Sequence, residues 1–305
     1  MADLYTFGEL MALFMAMDTD SVKTASQYQM SAAGAEANVA VAAHRLGIDV
    51  HFHSKVGNDY LGDAVIALME KEGLATKHFV RSNSYNGALV RNRGQEEKLD
   101  VTYLRKCAAA STFQPEDIDE EILAKSRWIH TTGITAALSE STRNTVAHAL
   151  DLARKHKIRA SLDLNIRLKL WSKEEAGKAL KELAHNLELL TGGVEEYEIV
   201  FGGGDPERNL KIAAEHGINI AIMTNGPEVM RILNNGERFD FEPHKVKIVD
   251  PVGSGDAAIA GTISGILAGL PLKDAIAQGS KCGAMVASVL GDWAGMVEGK
   301  GGLLP

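Results

Sequence analysis

The chain has 305 residues, of which 45% are hydrophobic and 24% are charged, enough for one large α/β domain or two smaller ones. Its formal net charge of −8 argues against nucleic acid or an anionic membrane surface as the main partner. The two cysteines, Cys107 and Cys282, lie far apart without metal-ligand spacing, so they indicate neither a disulfide framework nor a zinc site.

The N-terminal segment carries no targeting or membrane signal. It lacks a basic region, and its apolar run at residues 10–17 is too short to span a bilayer. We therefore expect a cytoplasmic protein. Residues 4–8 are predicted to form a strand, and residues 9–17 an extended apolar segment.

A helix and a hairpin are predicted next. A turn of small residues leads into the helix within residues 29–46, where apolar positions recur at helical spacing. Residues 86–93 and 98–105 flank a polar turn and predict a β-hairpin. Its alternation places Tyr103 and Arg105 on one face, which either meets a ligand or is solvated.

From residue 128 onward, strands alternate with helices. Strands are predicted at residues 128–132, 158–164, 188–190 and 218–224, and helices at residues 139–156, 173–187 and 206–216. This alternation favours an α/β fold with a mostly parallel sheet, helices on both faces and ligand sites at the carboxyl ends of strands. No linker or repeat divides the chain, so we predict one domain over residues 1–305.

Polar side chains follow one of these strands. Asp163, Asn165 and Arg167 alternate with apolar residues, so period-two geometry places them on one side. They suggest a ligand, because buried polar groups need partners and a guanidinium suits a carboxylate or phosphate. A structural pairing of Asp163 with Arg167 is the alternative. Further on, residues 234–236 predict a hairpin turn.

Residues 250–256, with the sequence DPVGSGD, predict an anion site. A β-rich segment at residues 245–249 leads into a turn with Gly253 and Gly255, and the turn opens a helix whose N–H groups should converge on an anion. Asp256 either stabilises the helix N-terminus or takes a proton from an attacking hydroxyl. Close helix packing is expected where glycines recur, at Gly261, Gly265 and Gly269.

These stretches resemble the signatures of the ribokinase-like (PfkB) carbohydrate kinases. The C-terminal signature is similar to residues 250–257 with Gly261, and the N-terminal signature to Gly34, Asn38, Gly57, Asp59 and Gly62. The resemblance implies a three-layer α/β fold, with a mostly parallel sheet between helices and a small β-sheet lid from about residues 10–31 and 86–106. It also implies a homodimer or higher homo-oligomer through the lid strands.

The same resemblance implies catalytic roles. Asp256 is expected to be the base, and Gly253, Ser254 and Gly255 are expected to form the anion hole for the transferred phosphoryl group. The implied cofactors are ATP and Mg²⁺, and dependence on a monovalent cation stays open.

Ligand-binding residues follow from the resemblance as well. Gly34 and Asn38 are expected to hold sugar hydroxyls, and Thr224, Asn225 and Gly226 are expected to lie at the nucleotide. The implied partners are therefore a small sugar and ATP, with neither nucleic acid nor membrane.

Longer stretches resemble one group within that family, the 2-keto-3-deoxygluconate kinases. The similar stretches are residues 102–106, 132–139, 163–167, 170–172 and 291–292. The resemblance implies that the substrate is 2-dehydro-3-deoxy-D-gluconate, phosphorylated at its terminal hydroxyl, with Tyr103 and Asp292 among its contacts. Arg105 and Arg167 agree with a sugar acid, because a neutral sugar would leave two guanidinium groups poorly satisfied.

Some positions depart from the family pattern. Ala33 and Leu89 stand where a glycine and a tyrosine are usual, and no second glycine follows Gly226. The family's Asn-x-x-Glu segment, which arranges water around magnesium, is replaced at residues 191–196, so Glu195 becomes the candidate metal residue.

Parts of the sequence also bear on three other functions. One is a related kinase acting on 2-dehydro-3-deoxygalactonate, fructose or another sugar. Another is a protein that binds a sugar acid without turnover, which only the altered magnesium segment favours. A nucleotide-dependent oxidoreductase is disfavoured, because the glycine-rich turn lies near the C-terminus and no acidic residue follows at dinucleotide spacing.

Overall fold

The computed structural model describes residues 2–93 and 99–305, so the hairpin turn predicted at residues 94–97 and Lys98 lie outside the described residues. The chain divides into two compact units. The first unit contains the residues up to Tyr5 together with Gln114–Pro243, and the second contains Thr6–Phe113 and His244–Pro305. A single kinase domain with lid strands within residues 10–31 and 86–106 stays a prediction. In the described ranges, no helix is long and apolar enough to cross a membrane.

The strands of the described residues follow one another in chain order. They are β1 (Leu4–Phe7), β2 (Met11–Ala16), β3 (Tyr28–Ala33), β4 (Val50–His53), β5 (Lys55–Gly57), β6 (Val80–Ser82), β7 (Ala88–Arg91), β8 (Val101–Leu104), β9 (Trp128–Thr132), β10 (Arg159–Asp163), β11 (Leu189–Gly193), β12 (Ile220–Thr224), β13 (Met230–Asn234) and β14 (Glu237–Phe241).

The α-helices follow the same order. They are α1 (Ala35–Arg45), α2 (Tyr60–Lys71), α3 (Glu120–Ala124), α4 (Gly133–Ala137), α5 (Glu140–His156), α6 (Lys173–Leu183), α7 (Val194–Phe201), α8 (Pro206–Glu215), α9 (Ser254–Leu267) and α10 (Leu272–Ala287).

In the first unit, the sheet runs in the order β14-β13-β12-β11-β10-β9 and continues with β1, whose first residues belong to this unit. Strands β9 to β12 pair in parallel. Their side chains are almost all buried, as expected when helices cover both faces of a parallel sheet. The predicted α/β fold class with a mostly parallel sheet is confirmed.

A two-residue turn closes the antiparallel end of that sheet. Strands β13 and β14 pair with Asn234 opposite Glu237. Between them, Asn235 and Gly236 have φ values of 48° and 88°, the left-handed backbone that such a turn requires. The hairpin turn predicted at residues 234–236 is therefore present.

The second unit contains a separate four-stranded sheet in the order β3-β2-β7-β8. Strand β2 pairs antiparallel with β3 and parallel with β7, and β7 pairs antiparallel with β8. One face of this sheet is apolar and buried, where Met11, Leu13, Ala33 and Leu89 pack together. The same unit holds β4, which lies next to β1, and the small β5–β6 sheet.

Glycines let α9 and α10 pack closely in the second unit. A Cβ on Gly261 would lie 2.8 Å from the Cα of Gly279, and one on Gly265 would lie 3.0 Å from the Cα of Ala275. Gly269 does not follow the prediction of close helix packing. Its φ of 87° and the open space around it show that it ends α9 and does not pack against another helix.

The prediction that the β-rich segment at residues 245–249 forms a strand is wrong. These residues form no strand in the structure, and Val246, Ile248 and Val249 are exposed. The N–H groups of Val249 and Asp250 donate to the carbonyl oxygen of Ala287, at the end of α10. The segment is β-branched, but a helix terminus and not a neighbouring strand accepts its hydrogen bonds.

Candidate active site

The turn before α9 presents backbone N–H groups at a helix start. Gly253 has a φ of 80°, and α9 begins at the next residue. The Ser254 hydroxyl donates to the carbonyl oxygen of Pro251 at 2.7 Å, so this side chain closes the turn. Gly255 is exposed, and nothing lies within 4 Å of the position that a Cβ would take there. Because the first N–H groups of a helix have no acceptor within it, the turn is suited to binding an anion.

Gly253 is the most constrained residue of the turn. A Cβ there would lie 1.9 Å from the carbonyl oxygen of Asp292. We expect Gly253→Ala to lower the free energy of unfolding by about 1–3 kcal/mol from backbone strain. Gly255→Ala, at an open position, is the matched control and should unfold like the wild type. Urea titrations of both variants measure the difference, and equal midpoints would contradict the close packing.

Asp256 and Asn38 meet in the second unit. The Nδ2 of Asn38, in α1, donates to Oδ2 of half-buried Asp256 at 2.7 Å. Asn38 is 4% exposed, and its Oδ1 has no partner within the described ranges. The structure thus brings together one residue from each sequence signature and leaves a buried acceptor for a ligand hydroxyl.

Gly34 lies against the chain at Glu9. A Cβ on Gly34 would lie 2.1 Å from the carbonyl oxygen of Glu9, so only glycine fits before α1. The Glu9 carboxylate is buried and pairs with Nη1 of Arg105 at 3.2 Å. Burial raises the pKa of Glu9, and the charge of Arg105 opposes that rise. Sequence reasoning assigned Glu9 no role, although an acid in an apolar segment was a visible signal.

Arg105 is buried, and part of its guanidinium could donate to a further acceptor. Its guanidinium lies over the Tyr103 ring, with Cζ 4.6 Å from the ring centroid, so the two residues share a face as the alternation predicted. Arg105 is 8% exposed, yet among residues 2–93 and 99–305 its Nε and Nη2 have no hydrogen-bond partner. These two atoms form one side of the planar fork that binds a carboxylate with both oxygens.

A buried charge cluster braces the turn. Nη2 of Arg91, in β7, lies 2.6 Å from Oδ2 of Asp250 and 3.2 Å from Oδ1 of Asp292. Asp250 also accepts from the N–H groups of Val252 and Gly291, at 3.2 and 3.1 Å. Arg91 was missed from the sequence because its partners are remote along the chain. Asp292 was expected to contact the sugar, and that role stays a prediction.

The pKa of Asp292 is raised to about 6. Burial is the main cause, and the neighbouring charge of Asp250 adds to it, whereas Arg91 and a hydrogen bond from Asn38 lower it. Asn38, which donates to Asp256, thus also acts on the pKa of Asp292.

In the first unit, the polar residues after β10 form a local network. Asp163 accepts from Oγ1 of Thr191 at 2.9 Å and from Nδ2 of Asn165 at 3.0 Å. Asn165 has a φ of 35°, which ends the strand, so the period-two alternation does not extend to Arg167 as predicted. Arg167 is exposed, whereas Asp163 is buried, and the alternative pairing of the two residues stays a prediction.

Two glutamates open α7 and differ in their contacts. Glu196 accepts from the N–H groups of Ile166 and Gly193, at 2.6 and 2.7 Å, so each of its carboxylate oxygens accepts a hydrogen bond from the backbone. Glu195 is exposed and belongs to no group of three metal-ligating side chains in the described part of the chain. A single free carboxylate still suits Mg²⁺, which takes one or two carboxylates and completes its shell with water and phosphate. The metal role of Glu195 stays a prediction.

Residues predicted at the nucleotide follow β12. Thr224 donates through Oγ1 to the carbonyl oxygen of Gly192 at 3.3 Å, and Nδ2 of Asn225 donates to Oε2 of Glu228 at 2.5 Å. Gly226 has a φ of 56°, and no atom lies within 4 Å of the position of a Cβ. The nucleotide roles stay predictions.

Known proteins resemble this chain over nearly its full length. A model of the pfkB family carbohydrate kinases matches residues 1–297. A 2-dehydro-3-deoxygluconokinase of Bacillus subtilis is 33% identical, covering 96% of this chain and 92% of that protein. A 2-dehydro-3-deoxygalactonokinase of Haloferax volcanii is 30% identical, covering 96% and 93%. The crystal structure of a 2-dehydro-3-deoxygluconokinase from Thermotoga maritima has a TM-score of 0.86 at 28% identity, covering 96% of both chains.

Proposed function

Because the chain belongs to the pfkB family of carbohydrate kinases, we propose that it transfers the γ-phosphoryl group of ATP to the terminal hydroxyl of 2-dehydro-3-deoxy-D-gluconate. The family confirms the prediction made from the two sequence signatures, and the chain is a sugar kinase. The identity of the sugar, ATP as donor and Mg²⁺ are the proposal. The relative named 2-dehydro-3-deoxygluconokinase, at 33% identity, supports the choice of sugar.

The observation that carries the choice of a sugar acid is the buried Arg105. Its Nη1 pairs with Glu9, whereas Nε and Nη2 have no partner among the described residues. An unsatisfied buried donor is unfavourable by about 1–3 kcal/mol, and more when it is charged. A substrate carboxylate would place one charged oxygen opposite each atom, whereas a neutral hydroxyl offers both donors a single uncharged oxygen. The stacked Tyr103 ring holds the guanidinium plane in place.

Asp256 supplies the acid–base chemistry in this proposal. As the terminal hydroxyl oxygen bonds to phosphorus, the bond from phosphorus to the bridging oxygen of ATP breaks, ADP leaves, and the hydroxyl proton passes to the Asp256 carboxylate. Asn38 holds Oδ2 of that carboxylate, which fixes its orientation. The N–H groups at the start of α9 stabilise charge on the transferring group, and each such donor typically lowers the barrier by about 2.7–4 kcal/mol.

The remaining assignments rest on family resemblance. They comprise Gly34 and Asp292 at the sugar, Arg167 at its carboxylate, Thr224, Asn225 and Gly226 at the nucleotide, and Glu195 at the metal. Magnesium would neutralise charge on the nucleotide phosphates. A homo-oligomer through the lid strands, and any need for a monovalent cation, also stay predictions.

One second candidate has a specific observation in its favour. The relative at 30% identity is named 2-dehydro-3-deoxygalactonokinase, and that sugar acid also carries a carboxylate for Arg105. A carboxylate contact with Arg105 would therefore distinguish sugar acids from neutral sugars, but it would not distinguish the two epimers.

The test is ADP release with the gluconate acid, its galactonate epimer, fructose and ribose in parallel. We expect turnover with sugar acids only, and we expect Arg105→Gln to raise KM for the acid by about 10- to 100-fold, because a charge-assisted hydrogen bond is typically worth about 1.5–3 kcal/mol. Arg154→Gln, which removes a solvent-facing ion pair on α5, is the control. Turnover of neutral sugars, with KM unchanged in Arg105→Gln, would exclude the carboxylate contact. Binding of the acid without any ADP release would instead favour a non-catalytic protein.

A further inference from the structure

Three histidines of the second unit lie together outside the candidate active site. His51 and His53 alternate on β4, so both imidazoles project from the same face of the strand. His78 belongs to the segment between α2 and β6. One ring nitrogen of each residue lies within 4.8 Å of those of the other two. Among the described residues, this is the one group of three metal-ligating side chains that the structure brings together.

From this geometry, we propose that His51, His53 and His78 bind a divalent transition-metal ion, with Zn²⁺ as the best fit. Imidazole nitrogen is a preferred ligand of zinc, copper and nickel, whereas magnesium prefers oxygen. The site is therefore chemically distinct from one that would hold the magnesium of a kinase reaction.

The spacing suits three ligands on one ion. Zinc–nitrogen bonds of about 2.0–2.1 Å in a tetrahedron place the ligand nitrogens about 3.4 Å apart, so small side-chain rotations from separations below 4.8 Å would close the site. His53 is 5% exposed, whereas His51 and His78 are half-buried. One ligand is therefore buried, and the other two lie where solvent can reach them. This leaves a fourth coordination position for water, as in three-ligand zinc sites.

His78 is oriented by the backbone of β4. Its Nε2 contacts the carbonyl oxygen of Phe52, the residue between the other two histidines. A proton on Nε2 would be donated there. Histidine ligands commonly use their second nitrogen in this way, and the bond fixes both tautomer and ring angle.

Aromatic packing is the competing explanation. The His53 ring meets Phe113 edge to face at 5.5 Å, His78 meets Phe79 in the same way at 5.5 Å, and His51 stacks on His78 at 3.9 Å. Packing accounts for each ring contact in turn. It does not require three nitrogen ligands to converge, and a metal ion does.

The proposal is tested by titrating zinc into the metal-free protein in the presence of a competing chelator and measuring binding by calorimetry. We expect one ion per chain, a higher melting temperature with zinc and no response to Mg²⁺. His51→Gln and His78→Gln should each weaken binding by more than about 10-fold, the loss typical even of residues that only support a ligand. His244→Gln, at an exposed histidine of the same unit, should bind like the wild type. Binding should also weaken on acidification, because protons compete for the same lone pairs.

Two results would overturn the proposal. One is the absence of a single stoichiometric zinc ion, which would leave aromatic packing as the role of the cluster. The other is equal zinc affinity in the wild type and both cluster variants, which would mean adventitious binding elsewhere. The melting temperature of each variant without metal shows whether it is folded. If the His78→Gln variant is unstable, the His51→Gln variant still provides the test, because His51 is half-buried. The visible spectrum of bound Co²⁺ reports tetrahedral coordination independently of stability.

Discussion

The Asp256→Asn variant is expected to fold normally and to lose about 10²- to 10⁴-fold in kcat, the usual contribution of a positioned general base. An amide can still accept from Nδ2 of Asn38 through its oxygen, so the local geometry is retained. It cannot take a proton from the sugar hydroxyl. Steady-state ADP release gives kcat and KM, and we expect the loss to fall on kcat because the sugar contacts remain.

Asp274→Asn is the matched control for that experiment. Asp274 is an exposed acid in the first turn of α10, so its substitution removes the same favourable interaction with a helix N-terminus. Either change should alter the free energy of unfolding by only about 0.3–1 kcal/mol. If Asp256→Asn keeps nearly full kcat and resembles Asp274→Asn in stability, Asp256 only stabilises its helix and the proposed base is wrong.

The sequence predicted elements well where periodicity and burial agree. Strand β9 has the predicted bounds, and helices α5 and α8 differ from their predictions by one residue at an end. Strand β9 is a short, fully buried run of aromatic and β-branched residues around one histidine, and the two helices are amphipathic, so the local pattern carries the information. Residues 245–249 failed for the converse reason, since their β-branched residues satisfy a strand propensity but find no neighbouring strand.

The residues of the candidate site were likewise predictable only where the pattern is local. The glycine turn and Asp256 could be found from sequence, because a helix N-terminus and its glycines form a local pattern. Arg91 could not, because its contacts with Asp250 and Asp292 join residues 159 and 201 positions apart. Its place on a predicted hairpin strand indicates only a polar residue beside apolar ones. The His51-x-His53 pair was visible in the sequence, but the convergence of His78 depends on the fold.

Arg91→Met should destabilise the protein strongly, by about 3–5 kcal/mol, the loss typical when one partner of a buried ion pair is removed. Arg91 is 2% exposed, and methionine leaves Asp250 and Asp292 buried without their cation. The turn before α9 depends on Asp250 through the N–H of Val252, so we also expect kcat/KM to fall. Urea unfolding of the wild type and the variant measures the change.

The destabilisation of Arg91→Met should depend on pH in a defined direction. The pKa of Asp292 is already raised from 3.8 to about 6 in the folded protein, and removal of Arg91 should raise it further. A carboxyl whose pKa is higher in the folded state favours folding at low pH, and that stability is lost as pH rises from the unfolded pKa through the folded one. The variant should therefore be less destabilised relative to wild type at pH 5 than at pH 8.

Two further variants separate charge from packing in this cluster. Arg91→Lys keeps a cation but lacks the planar fork, so its loss should be smaller than that of Arg91→Met. Adding Asp292→Asn to Arg91→Met removes one of the uncompensated carboxylates, so the double variant should recover stability at pH 8 and gain little at pH 5. Because Asp292 lies in direct contact with Arg91, this non-additivity is the signature of the ion pair. Equal losses at both pH values, with no recovery in the double variant, would mean that Arg91 acts through the packing of its side chain and that its charge does not brace the turn.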